Sequence, residues 1–343
     1  MTAFLVLLRV RLLDVLRNKS SVGFVLVFPV VLLITLGLVF MNGHPFERRY
    51  VALVDAGPRS ELLERAAASL ASTEEVRVGR EPTEAIALGK LRSRMATAVI
   101  VAPSKEGDAL TLRVGERDRI FGSGLVAMLP KPARLEVVAG PRFGYIHYLF
   151  PGILAFSVLT AGLFGMGYPM ALFRQNLFLK KLATTPLPKV TFVAANVVAR
   201  GALVLVEVLL LLVVARFAFD LKLTWLSAAL SLGIAMLGAF VFLGVGFALA
   251  TAIRNAELLV DVISALNLPL VFFSEIFFPL ESLPTQLALV GSVLPSTQMV
   301  RLLRSVMLYG VSDVASLAPG LVLMMAWGVV TFAISLRVFK WHE

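Results

Sequence analysis

Most of the chain alternates long apolar runs with short polar breaks, and several runs approach or exceed the ~20 residues that cross a bilayer. The first run is 21–41, SVGFVLVFPVVLLITLGLVFM, and Pro29 inside it is an expected kink that neighbouring helices can re-satisfy. Runs at about 146–172, 190–215, 224–252, 257–274 and 317–337 predict five more spanning helices. Residues 1–20 precede the first run. Within them, 3–18 read as an amphipathic helix, with Arg11, Asp14 and Asn18 at helical spacing on one side and Leu and Val over much of the rest. Such a helix lies in the membrane interface with its basic side toward headgroups; a plain extension of the first span is the alternative. Between the last two spans, 275–316 is apolar but broken by Pro279, Pro284 and Pro295. The segment 275–300 therefore predicts one or two short re-entrant helices buried against protein.

Residues 42–144 change character: charged side chains are frequent and no spanning run occurs. The pattern predicts strands at 50–55, 76–78, 98–101 and 110–114 and helices at 59–71 and 82–94, the second opened by Pro82, which suits a first helical turn. Strands alternating with helices predict a small α/β domain inserted after the first span. The fold expected for the whole chain is an α-helical membrane protein of about six spans carrying this domain, with 145–343 forming spans two to six.

Composition agrees. The 343 residues are 58% hydrophobic and 16% charged, against about 25% charged in soluble chains. The net charge of +10 comes with no nucleic-acid-binding motif, so it reads as topology. Basic residues gather before the first span (Arg9, Arg11, Arg17, Lys19), after the second (Arg174, Lys180, Lys181, Lys189) and at the C-terminus (Arg337, Lys340). By the positive-inside rule both termini are expected in the cytoplasm and 42–144 outside, in a multi-pass protein of the cell inner membrane. The early charges also make the N-terminus a poor signal peptide. The absence of cysteine excludes disulfides, thiolate metal sites and cysteine nucleophiles.

Two segments resemble the permeases of type-2 ATP-binding-cassette transporters. One is 267–304, NLPLVFFSEIFFPLESLPTQLALVGSVLPSTQMVRLLR: Asn and Pro inside a span, an FFP, two LP pairs, then a basic pair. The other is 174–188, RQNLFLKKLATTPLP, similar to that family's first cytoplasmic loop. The VALVD and AVIVAP strands of the inserted domain resemble the subfamily with a large extracytoplasmic domain after the first span. One departure is Glu275, where the family carries a small residue. The resemblance implies an exporter half: two permease copies, or one and a paralogue, form the pathway, and a separate ATPase holding ATP and Mg drives it. This chain is expected to bind no cofactor. It has no G-x-x-x-x-G-K-[ST] phosphate loop, because Glu84 stands where Gly89-Lys90 would need the first glycine.

The cytoplasmic loop 173–189 is the expected ATPase-coupling element. Arg174, Lys180 and Lys181 are cations for an acidic partner surface; Leu177, Phe178 and Leu182 are apolar contacts; Thr184, Thr185, Pro186 and Leu187 end the lever, because proline cannot continue a helix. Topology alone is the other reading of the lysines. Glu207 lies in mid-span, where an ionisable group costs roughly 2.5–3.5 kcal/mol and faces protein or water. It is a candidate for the subunit interface or substrate path, or for a plain polar contact. Glu257 and Asp261 sit at i, i+4 beside Arg254, a structural grouping. Glu275, Phe272, Phe273 and Phe277 form a second candidate for the substrate path, with Glu275 alternatively a gate or a helix cap, and Pro279, Pro284 and Pro295 shape the re-entrant turn. The aromatic mouth and apolar spans favour a hydrophobic or amphipathic substrate such as a drug or lipid. The three histidines, His44, His147 and His342, stand too far apart for a metal site. A gradient-driven transporter and a membrane sensor or scaffold are the competing functions; the first usually needs inverted repeats, and none is visible.

Overall fold

The computed structural model describes residues 2–40, 49–55, 61–71, 76–92, 96–102, 109–115, 118–130, 132–138, 145–221, 223–253, 255–276 and 285–339. The chain divides into two compact units. The larger is helical: α1 (Thr2–Arg17), α2 (Lys19–Phe40), α6 (Tyr145–Gln175), α7 (Phe178–Ala183), α8 (Lys189–Ala218), α9 (Trp225–Ala252), α10 (Ala256–Phe273), α11 (Thr285–Val293), α12 (Pro295–Met307) and α13 (Val314–Val338). Among the described residues five helices, α6, α8, α9, α10 and α13, are long and apolar enough to cross a membrane, and Val25–Leu36 of α2 is a shorter apolar stretch.

Helix starts follow local capping. Thr224 accepts from the Ser227 amide at 3.1 Å, Asn255 from the amides of Glu257 and Leu258 at 2.8 and 3.2 Å, and Asp313 from those of Ala315 and Ser316 at 3.2 Å each. Each side chain satisfies amides that the first turn leaves unpaired. Helix α6 is the central post, with Ile153, Leu154, Val158, Leu159, Leu163 and Met166 all buried. It crosses α9 where glycines face each other. A methyl group on Gly246 would stand 2.5 Å from the Leu163 carbonyl oxygen, so the crossing requires the bare backbone.

Helix α1 departs from the sequence expectation at Arg11, while Asp14 and Asn18 of the same side stay exposed. It packs on α8 and turns Arg11, 6% exposed, inward, while Leu5, Val6, Val10, Leu13 and Leu16 are exposed. Aromatic rings inside the unit receive the arginine.

The smaller unit contains β1 (Arg49–Val54), α3 (Glu61–Ala71), β2 (Val76–Glu81), α4 (Glu84–Arg92), β3 (Ala98–Val101), β4 (Leu110–Gly115), α5 (Arg119–Met128) and β5 (Ala133–Val138). The sheet order is β2-β1-β3-β4-β5. Strand β1 runs parallel to β2 and β3, β3 antiparallel to β4, and β4 parallel to β5. Val51, Leu53 and Ile100 pack under α3 and α5, while Ala52, Val54, Val99 and Val101 pack under α4. Strands covered on both faces need apolar residues throughout, hence VALV and AVIV. Helix α5 and strand β5 were not anticipated from sequence. RIFGSGLVAM carries two poor helix formers, and RLEVV is short with two charged residues. Gly122 of α5 is required by close approach: a methyl group there would lie 2.8 Å from Val114 and 2.9 Å from Leu135.

Candidate functional site

The loop between α6 and α8 forms a short lever. Helix α6 ends at Gln175, and Leu177 takes a left-handed backbone, φ 56°, which breaks the axis and starts α7. Thr184 and Thr185 donate to the carbonyls of Lys181 and Leu182 at 2.8 and 2.6 Å, closing α7 on its own last turn. Pro186 is exposed and Pro188 is the extended residue before α8. Lys180 and Lys181 are exposed, Leu177 is half exposed, and Leu182 and Leu187 are partly buried.

Not every residue expected to meet a partner faces outward. Arg174 donates to the carbonyl oxygens of Ala250 and Ile253 at 3.0 and 3.3 Å. It ties the end of α6 to the end of α9, where carbonyls unpaired by the last turn attract cations. Phe178 turns inward onto Phe173, ring centroids 5.3 Å apart. Leu179, which sequence reasoning passed over, is the buried root of α7. Lys189 donates to the Phe339 carbonyl at 2.8 Å and so holds the start of α8 to the end of α13.

Arg11 completes the root. Its guanidinium lies 4.1 Å from the ring centroid of Phe173, 4.9 Å from Phe178 and 5.4 Å from Phe192, within cation–π range. Asp14 stands 3.6 Å away. Burial pushes the Arg11 pKa down, partly offset by Asp14. No periodicity signals this contact, because Arg11 is more than 160 residues from the rings it meets.

Glu207 is not on an outer face. It is 1% exposed and accepts a hydrogen bond from Ser157 of α6, inside the unit. Its second carboxylate oxygen and the Ser231 hydroxyl are buried without hydrogen-bond partners among the described residues. Within this chain Glu207 makes the polar contact to Ser157.

Glu275 is also taken. It has φ 55° and is 7% exposed. One carboxylate oxygen accepts from Arg301 Nε at 3.0 Å and Nη2 at 2.6 Å; the other is 3.7 Å from Arg304 Nη1. Arg304 Nη2 also donates to the Glu275 carbonyl at 2.6 Å. Beside it, Ser274 and Ser296 share a hydroxyl hydrogen bond of 2.5 Å, and Thr297 donates to the Phe273 carbonyl at 3.2 Å. The cluster bolts the end of α10 to α12. A buried carboxylate needs such partners, and these contacts give Glu275 a structural role between α10 and α12. The basic pair at 301 and 304, one helical turn apart, was the available signal.

Phe272 is half exposed and Phe273 partly buried, while Pro295 is buried at the start of α12. Phe277, Pro279, Pro284, Arg254, His44 and His342 lie outside the described residues. Among the described residues no group of His, Cys, Asp and Glu could hold a metal. Helix α10 is the least buried span, 17% over its apolar window. Its open side carries Glu257, Asp261, Ser264, Leu268 and Phe272, one helical face by spacing.

A bundle of long apolar helices with a lysine-tipped lever between two of them defines a multi-pass membrane protein. The family model described as ABC-2 type transporter matches residues 119–308, more than half of the chain, and no curated protein matches it. The chain belongs to the ABC-2 type transporter family and is a permease of an ATP-binding-cassette transporter.

Proposed function

We propose that this permease forms the substrate pathway of an ATP-driven exporter, as a dimer with a second copy or a paralogue. A separate ATPase subunit, holding ATP and Mg, drives it by pushing on α7. The carrying observation is α7 itself: exposed Lys180 and Lys181 on a short helix whose root is fixed by Leu179, Phe178, Arg174 and Arg11. A push on such a lever is transmitted to α6, α8 and α9 rather than lost in a loose loop. The open side of α10 supports the pathway, because Asp261 is costly against lipid and suits a water-filled path or a second subunit. The apolar half of that side, Leu268 and Phe272, favours a hydrophobic or amphipathic substrate such as a drug or lipid. The reading places the protein in the inner membrane, and the positive-inside rule favours α7 and both termini in the cytoplasm and residues 42–144 outside.

Gentle purification of the tagged chain from its native membrane tests this. A nucleotide-binding ATPase is expected to co-purify with the wild type and to be lost from a Lys180→Glu, Lys181→Glu, Leu182→Ala variant. No ATPase with the wild type, and no ATP-dependent transport in vesicles, would sink the proposal.

A further inference from the structure

The two faces of α1 carry opposite kinds of interaction. Its open face combines Leu5, Val6, Val10, Leu13 and Leu16 with Arg9 and Arg17, both exposed. By helical spacing the two arginines fall within that apolar face rather than opposite it. An apolar face with cations among its leucines matches an acidic lipid leaflet: the aliphatic groups enter the acyl boundary and the guanidinium groups reach phosphates. Water alone or neutral acyl chains would leave one half of the face unsatisfied.

The inner face carries Arg11, buried among Phe173 at the end of α6, Phe178 at the start of α7 and Phe192 in the first turns of α8. Its Nε and Nη2 have no hydrogen-bond partner among the described residues. The grip on the lever is therefore made of ring contacts, while the one ion pair, to Asp14 at 3.6 Å, stays within α1. Ring stacking of this kind has no fixed donor–acceptor geometry to lock it, so a shift or rotation of α1 changes the grip without breaking a hydrogen bond.

We infer that α1 is a docking helix for anionic phospholipid, and that docking sets how firmly Arg11 holds α7. Anionic headgroups at Arg9 and Arg17 seat α1 on the leaflet and press Arg11 into the three rings. In a zwitterionic leaflet α1 is held less firmly and α7 gains freedom. Acidic lipid near the lever is thus a regulator of the permease. The docking and the grip are independent of the ATPase reading; only their consequence for coupling rests on it.

The chain has no cysteine, so single nitroxide labels can be placed on the full-length protein in nanodiscs. A label at Ala3→Cys, on the exposed side of α1, reports membrane depth; a label at Lys180→Cys reports α7 mobility. Nanodiscs of phosphatidylcholine alone are compared with nanodiscs containing phosphatidylglycerol. With anionic lipid the Ala3 label is expected to sit deeper and the Lys180 label to be slower. Arg9→Gln with Arg17→Gln removes the lipid dependence at both labels, since two cations beside an anionic surface are worth about thirtyfold in the docked-to-undocked ratio. Arg11→Met keeps the depth change at Ala3 but leaves the Lys180 label mobile in both lipids. Identical spectra in the two lipids, at either label, would overturn the inference. So would lipid dependence that survives loss of Arg9 and Arg17, a pair whose exposed positions leave the fold unchanged. Neither readout needs nucleotide or ATPase, so failure here is separate from failure to capture an ATPase.

Discussion

The Glu275 cluster makes a graded prediction. Its three charges differ in exposure: the side chains of Glu275 and Arg304 are 9% and 4% exposed, that of Arg301 44%. Removing one member of a buried ion pair costs about 3–5 kcal/mol, because the abandoned charge keeps its desolvation penalty. Glu275→Ala strands Arg304 in that way. Arg304→Met removes, besides its charge, the donor to the Glu275 and Ile276 carbonyls, and belongs in the same range. Arg301 is half in solvent, so Arg301→Met leaves Glu275 paired with Arg304 and costs about 1 kcal/mol, the scale of an exposed pair. For a unit of this size about 1 kcal/mol shifts Tm by ~2–4 °C. Thermal unfolding in detergent, followed by tryptophan fluorescence, should show losses of roughly 6–20 °C for the first two variants and roughly 2–4 °C for the third. A Glu275→Leu, Arg301→Met, Arg304→Met triple variant should recover much of the loss, since an apolar replacement of the whole cluster strands nothing. Equal losses for Arg301→Met and Arg304→Met, or no loss for Glu275→Ala, would refute the reasoning.

Other expectations follow from the packing. Gly246→Leu places a side chain against the α6 backbone at Leu163, so it should lower Tm sharply, whereas Gly233→Ala, with open space around it, should not; the same melting assay separates them. Ile100→Ala removes a fully buried side chain from the sheet and should destabilise the smaller unit by ~2–5 kcal/mol, read by urea unfolding of the full chain with hydrogen exchange at β1 and β3; unchanged protection there would contradict the described core. Arg174→Gln loses a charged donor to two carbonyls and should raise hydrogen exchange at the ends of α6 and α9 without releasing the ATPase, unlike the Lys180 and Lys181 changes.

The long helices are legible in sequence because the bilayer imposes one requirement on every residue in a span. Hydropathy places 190–215 and 317–337 in helices, and the structure has α8 and α13 there. The α/β character of the inserted unit was legible for the same kind of reason: doubly covered strands such as 98–101 are apolar at each position. Pairing between distant residues was not. Glu275 and Arg301 are 26 residues apart, and Arg11 meets rings that no local spacing connects to it. Both arginine contacts bury a charge that the local sequence presents as a surface one. The exposure of Lys180 and Lys181 was legible, since a basic pair in a short loop between two spans faces water. Arg174, identical in sequence character, turned inward because open helix ends lie within its reach.

Whether α7 receives the push of a separate ATPase is tested most directly by a photo-crosslinking group at Lys180→Cys in the native membrane, irradiated there and the adduct identified by mass spectrometry. The expected adduct is a protein that carries a phosphate-binding loop, with cross-linking yield that changes when ATP is added. Adducts with lipid alone, or with proteins that bind no nucleotide, would contradict it.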